Sequence, residues 1–212
     1  MIAILLHAAS LVGLIYFDKA WFINAIPAGM LFMFLLLLFT QKNINGSMLL
    51  FVALCILTGM TYGLVNTKTG DFRFGNSLGP SIDTVPLVTG IYWFIIIYCS
   101  GITIHTLLNR IIDKVTTNPN AMRPTLKAMS VMVDAAMLSV LFAVLVEPVA
   151  AKLGWWHWEK ESAPFYNYAC WYIVSALLLL DFHYAQFNKE NKFAINLLLI
   201  QAMYFLLLRT FL

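Results

Sequence analysis

The sequence predicts an all-α, polytopic integral membrane protein with seven transmembrane helices, and three observations carry that prediction. Apolar residues make up 61% of the 212-residue chain and charged residues only 11%, against roughly 25% charged in a soluble domain. Apolar runs close to the ~20 residues needed to cross a bilayer recur from one end of the chain to the other. These runs are continuous rather than alternating, so they read as helices, which with closed barrels are the only backbones that satisfy their own polar groups in lipid. No stretch is left over for a soluble domain, and the chain reads as one transmembrane domain over residues 1–212.

The expected helices cover residues 2–17, 21–40, 47–65, 85–108, 126–153, 165–184 and 193–211. The first lacks a basic start and ends at Phe17-Asp18-Lys19 rather than at a small-residue cleavage site, so it reads as a span and not a signal peptide. Asp18-Lys19-Ala20 is so short a connection that helices 1 and 2 should form an antiparallel hairpin. Lys42-Asn43-Ile44-Asn45-Gly46 is a turn cluster before helix 3, and Asn118-Pro119-Asn120 punctuates the basic loop before helix 5. Helix 4 opens at Val85-Pro86, where proline suits the first turn, with Asp83 placed to cap it. Pro86, Gly90 and Trp93 then follow as one stripe. Helix 5 carries Asp134 and, near its end, Glu147 beside Pro148. That proline leaves the Val144 carbonyl without its helical partner and pushes Glu147 away from helical dihedrals, so a break is expected there. Three tryptophans, Trp155, Trp156 and Trp158, and a short charged loop lead into helix 6, which sets Asn167 and Trp171 one turn apart.

The links between helices 3 and 4 and between helices 5 and 6 are separated by two crossings, so they lie on the same membrane face. Both are rich in glycine and aromatic residues, and two such loops can together roof one cavity between the helices. Lys42, Arg110, Lys114, Arg123, Lys127, Lys189 and Lys192 fall on one face and Lys19, Lys68, Arg73, Lys152, Lys160 and Arg209 on the other. The basic loop over 110–127 tips its own side toward the cytoplasm, which turns the two-loop face outward. A dispersed net charge of +3 is no footprint for nucleic acid. Cys55, Cys99 and Cys170, an odd number without CxxC spacing, form neither a disulfide framework nor a zinc site and read as small buried residues.

The sequence also excludes much cofactor chemistry. His7, His105, His157 and His183 include no pair one helical turn apart, so a histidine-rich metal centre is not expected. No glycine fingerprint for a nicotinamide or flavin follows a strand. A retinal Schiff base would need a lysine inside the last helix, where only Lys192 at the mouth and Arg209 near the end are found. What remains is cofactor-free chemistry, or binding, in a membrane cavity. A carboxylate just inside the membrane boundary is a functional candidate by default, which singles out Glu147. The neighbouring tryptophans also suit an interfacial belt or plain packing. A protonated carboxyl can give its proton to an isolated double bond, and aromatic faces can stabilise the cation that results. Asp134, thirteen residues earlier, lies about 20 Å away along the axis, so the two acids are no close pair. It reads either as an interhelical hydrogen-bonding group or as a cavity contact.

Two runs carry a family resemblance. Leu145-Val146-Glu147-Pro148-Val149-Ala150, Leu153-Gly154-Trp155-Trp156-His157-Trp158 and Ala163-Pro164-Phe165-Tyr166-Asn167-Tyr168 with Trp171 form one. Thr69-Gly70, Leu78-Gly79-Pro80, Val85-Pro86 and Trp93-Phe94 form the other. Together they resemble the membrane-integral carotenoid biosynthesis family, that is, carotenoid hydratases of the bisanhydrobacterioruberin hydratase type. The resemblance covers most of the chain. It implies hydration of the terminal double bond of an acyclic carotenoid by protonation, a tertiary cation and water capture, without cofactor or metal. Gly63 stands where the family's acid is expected, Ala143 where an aspartate is expected, and Tyr92 replaces a polar residue before Trp93. Glu147 is expected to be the acid and Asn167 to orient water or substrate. Trp93, Tyr92, Trp155, Trp158, Trp171, Asp83 and Asp134 are the candidate substrate contacts. The expected partners are the lipid bilayer, an acyclic carotenoid or other long isoprenoid, and a pigment-enzyme complex or second copy of the chain. The expected location is the cell (inner) membrane. The alternatives are a non-catalytic isoprenoid-binding protein or complex subunit, and a small transporter, which would show broken helices and paired midplane charges.

Overall fold

A computed structural model describes residues 1–70, 72–115, 124–160 and 163–212. Among these residues seven helices run in order: α1 (Ile2–Tyr16), α2 (Lys19–Phe39), α3 (Gly46–Thr69), α4 (Leu87–Val115), α5 (Pro124–Lys152), α6 (Phe165–Tyr184) and α7 (Lys192–Phe211). Six of them, α2 to α7, are long and apolar enough to cross a membrane. The α1 helix has 15 residues and so is about 22 Å long, short of the ~30 Å hydrocarbon core. The expected seven spans are therefore six of full length and one short apolar helix. The molecule is a multi-pass membrane protein, with Leu49, Leu50 and Leu57 of α3 and Leu199, Met203 and Leu206 of α7 exposed on its outer surface.

Polar side chains decide where several helices begin and end. Asp18 caps α2, accepting the N–H groups of Ala20 at 3.0 Å and Trp21 at 3.3 Å, so the chain turns directly after α1. Asn45 caps α3 through the Met48 N–H, and Asn191 caps α7 through the N–H groups of Phe193 and Ala194. The α3 helix runs four residues beyond its expected end at Val65. The side chains of Asn66, Thr67 and Thr69 bond to its own last carbonyls and carry it to Thr69. The Asn118-Pro119-Asn120 turn lies outside the described residues.

The expected break at Pro148 is absent: α5 continues through it to Lys152. Proline removes one N–H from the ladder, and the helix absorbs that single loss while Glu147 stays helical. The chain leaves α5 at Gly154 instead, in the left-handed region at φ 68°. There the Trp155 N–H donates to the Ala150 carbonyl at 2.9 Å and the Gly154 N–H to Ala151 at 3.1 Å, a Schellman stop built on a glycine that carries no Cβ penalty.

The centre of the bundle is α4. Of its most apolar segment 72% is buried, against 11–39% for the other spans, and Trp93 to Cys99 are buried without a gap. A helix apolar and buried on all sides belongs in the middle, and α4 packs against α2, α3, α5, α6 and α7. Glycines set the close α3–α4 approach: a Cβ on Gly59 would stand 2.7 Å from the Trp93 ring, and one on Gly90 2.7 Å from the Ile56 carbonyl oxygen.

The two loops on the common face fold into very short strands that an all-helix reading does not show. β1 (Phe72–Phe74) leads to a 3-10 turn (Asn76–Leu78), and β2 (Ser81–Ile82) turns back on β3 (Val85–Pro86) ahead of α4. β4 (Trp156–Trp158), from the α5–α6 loop, pairs antiparallel with β1, setting Phe72 opposite Trp158, Arg73 opposite His157 and Phe74 opposite Trp156. The ladder ties the two loops together. Gly75 completes the join: its N–H donates to the Trp155 carbonyl at 2.8 Å, and a Cβ there would lie 1.9 Å from the Gly154 oxygen.

Candidate functional site

Beneath the β1–β4 pair lies a cavity of about 60 Å³, walled by α3, α4, α5, α6 and both strands. Glu147 stands in its wall, one turn before the end of α5. Successive residues of a strand point to opposite faces, so Trp156 and Trp158 of β4 turn toward Glu147 while His157 between them is exposed. Both indole N–H groups donate to the same carboxyl oxygen, Oε1, Trp156 at 2.9 Å and Trp158 closer still. The other oxygen, Oε2, receives neither bond. The ion pairs among the described residues are Lys42–Glu190 and Arg73–Glu159, so no cation neutralises Glu147 there. Two neutral dipoles hold it instead.

Aromatic rings fill the rest of the chamber. Trp93 of α4 and Trp171 of α6 lie with centroids 4.2 Å apart, and Tyr62 of α3 stands 5.1 Å from Trp93. On the loop side, Phe72 meets Trp158 edge-on at 4.8 Å and Phe74 at 4.8 Å. Such a box offers ring faces to a cationic group. Polar groups are few and placed. The Tyr62 hydroxyl donates to Asn167 Oδ1 at 2.5 Å and reaches the Asn167 carbonyl at 3.1 Å, so Asn167, 4% exposed, is held in one orientation. The Tyr92 hydroxyl is buried in the same wall and has no hydrogen-bond partner among the described residues. A buried hydroxyl left unpaired costs about 1–3 kcal/mol.

Of the residues singled out from sequence, Glu147, Asn167, Trp93, Tyr92, Trp158 and Trp171 share this cavity. Three do not. Trp155, grouped with Glu147 in the sequence, lies in the bend between Gly154 and β4, outside the strand. It is buried against Phe205 of α7 and lines a different cavity. Asp83 does not cap α4: it occupies the exposed turn between β2 and β3 with φ 57°, a left-handed conformation that Asp tolerates better than most residues. Asp134 is exposed on the outer face of α5, where the Ser130 hydroxyl donates to it. Tyr62, Trp156, Phe72 and Phe74 complete the chamber without having been picked out. For Trp156 the signal was present: Trp-His-Trp in a strand sets its first and third residues on one face. Tyr62 carries no such mark.

No curated protein and no solved structure matches the chain. A family model, described as carotenoid biosynthesis protein, matches residues 23–212, which take in every wall of the Glu147 cavity. The chain thus belongs to the carotenoid biosynthesis protein family.

Proposed function

We propose that this protein hydrates the terminal carbon–carbon double bond of an acyclic carotenoid, with Glu147 as the acid. The observation that carries the reading is the asymmetric environment of Glu147. Two indole N–H groups hold Oε1 as an acceptor, which leaves Oε2 to carry the proton toward the cavity. Substrate slides in from the bilayer with only its branched end inside, since a space of about 60 Å³ takes a chain terminus and a few waters rather than a polyene. Glu147 gives the Oε2 proton to the less substituted alkene carbon, and the π electrons form that C–H bond. The tertiary cation left behind lies among the rings of Trp93, Trp171 and Trp158, where cation–π attraction offsets the lost solvation.

Water then adds. Asn167, whose Oδ1 is occupied by Tyr62, offers its amide N–H groups to the water oxygen. As the C–O bond forms, one water proton passes to the Glu147 carboxylate. The acid is restored and the product is a tertiary alcohol, so the step consumes only water and needs no redox partner. The location that suits this work is the cell (inner) membrane, where the substrate dissolves, and the partner that suits it is a pigment-enzyme complex or a second copy of the chain.

The test is expression in a host that accumulates an acyclic carotenoid, followed by mass analysis of its pigments. A gain of one water per reacting end, lost in Glu147→Gln while the protein still inserts and purifies normally, is the expected result. A polyene that copurifies with unchanged mass would overturn hydration and leave a binding protein.

A further inference from the structure

The end of the bundle away from the β1–β4 pair gathers positive charge that no acid balances. Lys127 lies in the first turn of α5, where a helix dipole disfavours a cation, and its Nζ donates to Asn109 Oδ1 of α4 at 2.7 Å. Lys189, in the α6–α7 link, donates from Nζ to the Ala185 carbonyl at 2.6 Å. The same ammonium stands 5.6 Å from the centre of the Phe182 ring and 5.0 Å from that of Phe187. Burial, and then the Lys127 charge, hold Lys189 below its ordinary pKa, so the two cations feel one another. His105, one turn before Asn109 on α4, and His183, next to Phe182 on α6, lie within electrostatic reach of both lysines. The ion pairs among the described residues are Lys42–Glu190 and Arg73–Glu159. Asp113 and Asp181, on the same ends of α4 and α6, are exposed and bridge to neither lysine.

We infer that this cluster binds the phosphate headgroup of an anionic phospholipid. Each ammonium has three N–H donors and spends one on a neutral oxygen, which leaves both with donors for phosphate oxygens. Charges within a Debye length attract the same anion even where only one of them touches it. The surroundings favour a lipid over a phosphate free in solution. The same ends of α4 and α5 expose Leu107, Ile111, Leu126 and Met129, apolar side chains that acyl chains would cover. The basic loop between α4 and α5 turns this face toward the cytoplasm, and the leaflet there carries the anionic lipids that basic pockets between spans recognise. A zwitterionic headgroup brings its own cation and gains little. The cluster lies on the face opposite the Glu147 loops, and the inference does not rest on the chemistry proposed there.

The probes are phosphatidylglycerol and phosphatidylcholine with the same labelled acyl chains, bound to the delipidated, detergent-purified full chain. Phosphatidylglycerol should bind about tenfold more tightly at low salt, each lysine contributing several-fold, and the preference should shrink as salt is raised. Lys127→Gln and Lys189→Gln should each cut it several-fold and together abolish it, whereas Lys127→Arg and Lys189→Arg keep the charge and should retain most of it. Lys152→Gln removes the same charge from an exposed residue on the opposite face and should leave the preference intact. The comparison of the two lipids and its salt dependence need no variant, so a variant that fails to fold leaves the test standing. Equal affinity for the two lipids, a preference that survives the double glutamine variant, or an equal loss in Lys152→Gln would overturn the assignment. Inorganic phosphate at the lipid's concentration should not compete; displacement by it would give the cluster to a soluble phosphate and overturn the lipid.

Discussion

The indole N–H of Trp156 donates to Glu147 Oε1 at 2.9 Å, joining a three-residue strand in one loop to an acid one turn from the end of α5. Trp158 donates to the same oxygen, and β1, from the other loop, lies across both tryptophans. The acid's environment is thus assembled by loop pairing as much as by helix packing.

Trp156→Phe and Trp158→Phe keep the ring and delete the donor. Each should lower the hydration rate by about tenfold, the worth of one hydrogen bond to a charged or developing charge, with little change in melting temperature. The double variant should lose more than either alone, because Oε1 then has no fixed partner. Pigment conversion per milligram of folded protein measures this, and unchanged conversion in both single variants would detach the indoles from the chemistry.

Gly75→Ala tests the clamp between the loops. The added methyl would stand 1.9 Å from the Gly154 carbonyl oxygen, and neither neighbour is a side chain that can swing away. The β1–β4 pair should open, costing about 2–4 kcal/mol by forced backbone displacement. A thermal melt in detergent should fall by several degrees, with conversion falling alongside it. By contrast Gly29→Ala, placed in open space, should leave the melt level or raise it.

Tyr62→Phe removes the hydroxyl that fixes Asn167 at 2.5 Å and leaves the tilted ring contact with Trp93 intact. The amide is then free to rotate. Conversion should drop about tenfold while carotenoid binding is retained, a split that single-turnover and copurification assays on the same preparation would reveal. Equal losses of binding and turnover would give Tyr62 a packing role only.

Asn191→Leu probes stability far from the cavity. Asn191 is 3% exposed, caps α7 and donates to the Tyr98 hydroxyl at 3.1 Å and to Thr40 at 3.2 Å. Losing the cap and stranding the α7 N–H groups should cost about 2–3 kcal/mol, with normal activity in the fraction that folds.

Asp134→Asn should change neither stability nor conversion by more than a small margin. The carboxyl is exposed on the outer face of α5 with Ser130 as its partner. A marked loss of transport or turnover in this variant would revive a role for an acid inside the spans.

Several parts of this arrangement were legible in the chain. The helices were visible as apolar runs, because lipid leaves a backbone no other choice. Glu147 was visible because an acid at a membrane boundary is costly. Trp93, Asn167 and Trp171 stood out by helical spacing. Less legible were the residues whose direction depends on strand alternation. In a helix Trp155 and Trp158 would share a face, whereas in β4 it is Trp156 and Trp158 that do. The break expected at Pro148 fell at Gly154, since one missing N–H bends a packed helix less than a left-handed residue turns it. Tyr62 lies in a span like many others, and only its distance to Asn167 marks it.

The sequence by itself determined that this chain lives in a bilayer, that its backbone there is helical, and that the two aromatic loops emerge on one face. Those follow from composition and from counting crossings, which need no coordinates. Tertiary structure alone decided which rings surround the acid and which oxygen they hold. It also separated Trp155 into a second cavity and placed Asp134 on the outside. The reason is physical: hydrophobicity and backbone polarity act residue by residue along the chain, whereas the direction of a side chain depends on the partner strand or helix that meets it, and for β4 that partner is β1, in a loop two crossings earlier.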